Sequence, residues 1–149
     1  MTLLSRRGQL ALAAVADIAI HARLAPVAAK ALAARLALPP RHLEALLQSL
    51  VHANILKGVR GPRGGYELAR ERRRVSVAAV LRAVSNGIED RTNQAECLLL
   101  RQVITPLLDE AGAALLDKLE TISIDDLCRR AEDFKLSEDA GGSSTDFTI

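Results

Sequence analysis

The apolar positions at the start of the chain repeat with a helical period. Ser5 can cap a helix running to about Ala22, and Leu10, Leu12, Val15, Ile18 and Ile20 make it apolar on most sides, as in a central, buried element. After a break at Leu24 to Pro26 the pattern predicts a short second helix from Val27 to about Leu36, with Val27, Ala31, Ala34 and Leu38 facing inward. Leu38, Pro39 and Pro40 then enforce a turn, because each proline disfavours helical geometry in the residue before it, while Pro40 can open the next helix. That third helix, about Pro40 to Ala53, buries Leu43, Leu46, Leu47 and Leu50 at spacings of three and four. Arg41, Glu44, Ala45, Gln48 and His52 are left as an outward stripe. A short helix, a tight turn and a polar-faced second helix form the helix-turn-helix pattern, which any two helices of a small bundle can imitate.

The period then changes. Ile55 to Arg60 (ILKGVR) reads as a strand, Gly61 to Gly64 (GPRG) as a turn and Gly65 to Leu68 (GYEL) as the returning strand. A β-hairpin placed directly behind a candidate recognition helix is a wing. Arg60 and Arg63 sit at its tip, and Gly61, Gly64 and Gly65 permit close approach of backbone N–H groups to a phosphate. A purely structural hairpin has no need of the arginines.

Arg70 to Arg74 (RERRR) leads into a helix from Ser76 to about Ser85, and the run reads either as a solvated linker or as a further DNA contact. Ser85 to Glu96 is polar and loop-like. Beyond Cys97 a long helix is predicted with one apolar stripe, Ile104, Leu108, Ala111, Leu115, Leu119 and Ile122, and acids on the other side. In a lone subunit that stripe would face water, so it is the predicted dimer interface. Pro106 sits in the first turn of this helix or at a kink. Ser123 can cap a last short helix, Ile124 to about Phe134, with Asp126 in the capping-box position. From Ser137 the composition is that of a disordered tail. The resulting organisation is a DNA-binding domain over residues 1–84, a loop over 85–97, dimerisation helices over 98–135 and a tail over 136–149.

Composition supports a mainly α fold: only 2% of the 149 residues are aromatic, so the core must be built from Leu, Ala, Val and Ile. Charge points to a partner. Met1 to Val75 carries 13 Lys and Arg against four Asp and Glu, a balance of +9, while Ser76 to Ile149 carries seven against 14, a balance of −7. A strongly basic half within a nearly balanced chain is the electrostatic footprint expected for double-stranded DNA. No run of residues is apolar and long enough to span a membrane and no secretory leader is evident, so a cytoplasmic protein without a membrane partner is expected. The chain lacks H-E-x-x-H and a phosphate-binding glycine loop, and His21, His42 and His52 have no metal-ligand spacing, which argues against an enzyme. A protein-interaction module that kept the fold without binding DNA would have no use for Arg41, Lys57, Arg60 and Arg63.

The segment VRGPRGGYEL (Val59 to Leu68), behind RHLEALLQSL and before the helix at Ser76 to Val84, resembles the Rrf2 family of bacterial winged-helix regulators. That family includes regulators of iron–sulfur assembly, nitric-oxide response and cysteine metabolism. The likeness covers about Leu4 to Ala131, and its wing motif, V-R-G-P-x-G-G-Y, is highly specific. The resemblance implies a homodimer held by the long helix, with the third helix in the major groove and the wing in the minor groove. It further implies that Arg41, Glu44 and Arg60 lie where relatives contact DNA, and that His42 occupies a position that is usually aromatic. The expected DNA-contacting set is Ser5, Arg6, Arg41, His42, Glu44, Gln48, Lys57, Arg60, Gly61, Pro62, Arg63, Gly64, Gly65 and Tyr66. The expected role is that of a transcriptional repressor reading an inverted repeat.

One departure stands out. Relatives that hold a [2Fe–2S] cluster carry three cysteines in the loop before the dimer helix, and here only Cys97 is present. Cluster iron needs four ligands, mostly thiolates. A symmetric dimer would have to bring Cys97 and Cys128 of both chains together, so neither a cluster nor any other metal is expected. Cys97 reads as a sensor thiol or as an ordinary, partly buried cysteine.

Overall fold

The computed structural model describes residues 5–85 and 97–142. Most of the loop assigned to 85–97 therefore lies outside the described residues, as does the end of the tail. The elements are α1 (Arg6–His21), α2 (Ala29–Leu36), α3 (Pro40–His52), β1 (Leu56–Val59), β2 (Gly65–Leu68), a 3₁₀ turn (Arg72–Arg74), α4 (Val77–Ser85), a π-helical stretch (Leu100–Ile104), α5 (Thr105–Glu120) and α6 (Ile124–Gly142). The fold is mainly α with a two-stranded antiparallel wing, as the sequence pattern predicts.

α1 is the central helix, touching α2, α3, α4, α6 and β2. Ser5 caps it by accepting the Gly8 N–H at 3.2 Å, and Ala11, Ala14, Val15 and Ile18 are fully buried. Leu43, Leu46, Leu47 and Leu50 of α3 join the same core. Arg35 and Asp17 tie α2 to α1 through a forked pair, with Arg35 Nη2 2.8 Å and Nε 2.9 Å from the two carboxylate oxygens.

The second helix departs from its predicted phase. It starts at Ala29, and its buried residues are Leu32 and Ala33, while Ala31 and Ala34 are exposed and Leu38 is half-buried. Val27 sets the error: it is buried, but as a single β-bridge to Tyr66, with both backbone bonds formed at 2.8 and 2.9 Å. A residue counted into a helical period was in fact extended. The turn after α2 is closed by Ala37 in the left-handed region (φ 51°) with the Leu38 N–H donating to Ala33 O at 3.1 Å.

Val75–Val77 runs antiparallel to Ile122–Ile124: Val77 N–H donates to Ile122 O and Ile124 N–H to Val75 O, both at 2.8 Å. Ile124 and Cys128 are fully buried within the same core as α1. The expected grouping of 98–135 as dimerisation helices is therefore amended, since the first half of α6 belongs to the winged domain. α6 also runs beyond Phe134 to Gly142, so a tail without structure does not begin at residue 136. Residues 135–140 contain no proline or glycine, and the first breakers are Gly141 and Gly142.

The long helix is apolar on two faces. Ile104, Leu115, Leu119 and Ile122 are half-buried within their own chain, where α5 lies against α4 and Glu120 accepts from Arg82 Nη1 at 2.7 Å and Ser76 Oγ at 3.2 Å. Leu108 and Ala111, of the same predicted stripe, stay exposed. A second set, Leu100, Val103, Leu107, Ala111 and Ala114, is exposed at spacings of three and four. Pro106 lies in the first turn of α5, just after the π stretch, where the Thr105 N–H reaches back to Leu100 O. The widened turn accommodates a residue that can neither donate to nor pack closely against the preceding turn.

Candidate nucleic-acid interface

α3 presents Arg41, His42, Glu44, Ala45, Gln48 and His52 to solvent while its leucines are buried. The amphipathic spacing alone produces this division, because residues three and four apart share one face. Among the described residues Glu44 makes no ion pair or hydrogen bond. It lines a largely apolar cleft of about 780 Å³ between α2, α3 and the wing, together with Lys30, Pro40, Leu43 and Tyr66. Lys30, at the start of α2, is a cation on this face that the sequence reading passed over.

The wing pairs Leu56 with Leu68, Lys57 with Glu67, Gly58 with Tyr66 and Val59 with Gly65. Arg60, Gly61, Pro62 and Arg63 are exposed at its tip. The glycines answer to internal constraints. Gly61 has φ +118°, and a Cβ on Gly64 would lie 2.2 Å from Val59 O. A Cβ on Gly65 would lie 2.2 Å from Val27 O, so the bridge that seats the wing on the helix-turn-helix requires a bare backbone there. Close approach to a phosphate is not needed to explain either Gly64 or Gly65. Tyr66 is likewise structural in part, half-buried and bonded to Val27 at the base of the wing. Lys57 Nζ lies 3.0 Å from Glu67 on the facing strand, so its charge has a partner, whereas Arg60 and Arg63 have none among the described residues.

At the start of α1, Arg6 is exposed and the Ser5 hydroxyl serves as the helix cap. The RERRR run is an internal clamp. Asp125, only 4% exposed, receives Arg72 Nε at 2.7 Å and Arg129 Nη2 at 3.0 Å, with Arg73 Nε at 3.8 Å, and Arg74 lies 3.9 Å from Glu71. This removes the DNA reading for Arg72. The sequence hint was the acidic start of α6, Asp125 and Asp126.

The two cysteines have different surroundings. Cys97 is exposed ahead of the long helix, whereas Cys128 is buried in the core, where burial pushes its thiol up against the opposing pull of Arg72. The described residues contain no group of three His, Cys, Asp or Glu side chains placed to hold a metal. Among them, too, no helix is long and apolar enough to cross a membrane.

The family model for Rrf2, described as an iron-dependent transcriptional regulator, matches residues 4–130. The chain belongs to the Rrf2 family. The regulator IscR of Vibrio vulnificus (strain YJ016) is 27% identical over 138 residues, 91% of this chain and 82% of that protein. IscR of Vibrio atlanticus (strain LGP32) is 33% identical over 86 residues, 58% of this chain, so the match spans about half (50%) of that relative's length. Among solved structures, T. potens IscR superposes with a TM-score of 0.70 at 28% identity, covering 87% of this chain and 88% of that one. These relatives are transcriptional regulators, and this Rrf2 chain shares its winged-helix fold with the solved T. potens IscR.

Proposed function

We propose that this Rrf2 protein is a cytoplasmic, sequence-specific transcriptional repressor that binds double-stranded DNA as a homodimer and performs no catalysis. The observation that carries the reading is the exposed polar face of α3 set beside an arginine-tipped wing, both on the basic half of the chain. α3 enters the major groove, where Gln48 supplies donors and Glu44 accepts from a cytosine amino group, while Arg41, in the first turn, faces the DNA backbone. Arg60 and Arg63 serve the minor groove or its phosphates. Ser5 and Arg6 approach the backbone from the start of α1.

The dimer rests on Leu98, Leu99, Leu100, Val103, Leu107 and Leu108, each between 42% and 61% exposed. Monomers rarely leave so large an apolar surface in water. A C2 pair joined through Val103, Leu107, Ala111 and Ala114 covers it, and a two-fold protein reads an inverted repeat. The predicted stripe contributes Leu108 and Ala111 to that surface, its other members being spent on the chain's own packing.

The residues do not fit an iron–sulfur cluster. Of two cysteines, one is buried beneath Arg72 on α6 and the other stands exposed ahead of the long helix. Any thiol response belongs to Cys97, the accessible sulfur.

Selection of bound duplexes from a random library, followed by anisotropy titration, tests the reading. An inverted repeat with a preferred cytosine in each half-site is the expected result, and Glu44→Ala should abolish that preference while leaving affinity for random DNA unchanged or tighter. Failure to enrich any sequence would refute specific DNA recognition.

A further inference from the structure

Most arginines that the structure holds in place are matched by acids: Arg35 by Asp17, Arg72 by Asp125, Arg82 by Glu120. Arg7 is not. Its Nη2 donates to Ser49 Oγ at 3.2 Å, and the Ser49 hydroxyl in turn donates to Ala45 O at 3.2 Å, which fixes the guanidinium of α1 against α3. Its Nε–H is buried and has no acceptor among the described residues. Buried donors are rarely left in that state.

Arg7 lines a cleft of about 290 Å³ whose other polar walls are Arg41 and His42, above a floor that includes Leu10 and Leu46. None of these three side chains is paired with a carboxylate among the described residues. Arg41 and His42 also occupy the first turn of α3, a 13-residue helix whose first turn holds no acid and whose N-cap, Pro39, offers no side-chain bond. The Arg41 cation at the positive end of the helix dipole is repelled by it. Of the first-turn amides the Arg41 N–H is left free among the described residues, beside the Pro40 ring, since His42 and Leu43 N–H donate to Pro39 O, so an anion there is favoured. Two helices thus converge the Arg7 and Arg41 cations on one small space.

We infer that this cleft is a phosphate site, seating one backbone phosphodiester of DNA beside each recognition helix, with Arg7 as a positioning contact outside the set assigned from sequence. The inference rests on the DNA reading of α3. The two non-bridging oxygens of that phosphate accept from the Arg7 and Arg41 guanidiniums and the Arg41 backbone N–H, fixing how deep α3 sits in the groove while carrying no base information.

The test uses full-length protein and selected operator duplexes in which one phosphate at a time is replaced by an uncharged methylphosphonate. Wild type should lose affinity roughly tenfold at one position per half-site. Arg7→Gln should lose a similar factor on unmodified DNA, with a salt slope shallower by about one per contact, and should be indifferent to the methylphosphonate at that position only. Arg7→Lys should recover part of the slope. If Arg7→Gln keeps every wild-type methylphosphonate penalty, Arg7 is a strut between α1 and α3 and the phosphate site is wrong, even if overall affinity falls. A wild type that selects no duplex at all would overturn the DNA reading and this site together, a different result from the first.

Discussion

Arg72 Nε stands 2.7 Å from the carboxylate of Asp125, and this contact joins the segment behind the wing to the start of α6. Asp125 is 4% exposed and also receives Arg129, so the carboxylate is desolvated but well supplied with donors. Beside it run the two backbone bonds between Val75–Val77 and Ile122–Ile124. The turn between α5 and α6 is thereby fastened to the strand-to-helix connection of the DNA-binding unit.

Asp125→Ala should destabilise the fold by about 2 kcal/mol, the range for charge-assisted hydrogen bonds. The figure stays below that for a fully buried pair because the Arg72 side chain is 33% exposed and can hydrate when left alone. A midpoint lower by roughly 6 °C is the expected calorimetric result. An unchanged midpoint would show that the backbone ladder alone holds the junction.

Arg60 and Lys57 should behave differently although both lie on the wing. Arg60→Ala removes an exposed tip cation and should weaken operator binding by roughly 1 to 3 kcal/mol if it reads groove shape. If it meets only a phosphate, the loss should be uniform across sequences and the salt slope should fall by about one. Lys57→Ala breaks a cross-strand pair with Glu67 and should change affinity much less. Anisotropy titrations at three salt concentrations separate these outcomes, and equal losses for both variants would contradict the assignment.

The two faces of the long helix make opposite predictions. Leu107, 61% exposed, lies on the free surface, so Leu107→Glu should yield a folded monomer. Leu115 is half-buried against its own chain, so Leu115→Glu should lower stability by about 1 to 3 kcal/mol before any effect on assembly. Light scattering combined with thermal melts distinguishes them. A Leu107→Glu protein of dimer mass would move the interface elsewhere.

Asp126 carries a pH dependence. The Ser123 N–H and hydroxyl donate to its carboxylate at 2.9 and 3.1 Å, while Asp126 N–H donates back to Ser123 Oγ at 3.1 Å. The backbone bond first, then the hydroxyl, hold this carboxyl below the ordinary aspartate value of 3.8. A depressed folded value means that the cap stabilises above the unfolded value and is lost as pH falls through the folded one. Asp126→Ala should therefore melt lower than wild type at pH 7, and the two should converge in acid below the usual aspartate range. A gap that persists there would mean the side chain acts through something other than its charge.

The sequence by itself determined the order and type of the main helices and strands, the amphipathic face of α3 and the wing, because each follows from periodicity, capping or turn chemistry within a few residues. Ser5 and Ser123 cap as their positions predict, and the four leucines of α3 are buried as their spacing requires. Tertiary structure decided whatever depends on which surface meets which. Val27 carried the hydrophobicity of a helix position, and only the bridge to Tyr66 made it extended and shifted the phase of α2. The stripe Leu115, Leu119 and Ile122 was legible as apolar, but a stripe does not name its partner. α4 of the same chain covers it and leaves Val103 and Leu107 outside. The arginines of RERRR and Arg7 look alike in sequence, as cations on helical or turn residues. Asp125, about 50 positions away, takes up Arg72, whereas no acid among the described residues pairs with Arg7, because charge pairing at long separation is set by the packing of the core and not by local order along the chain.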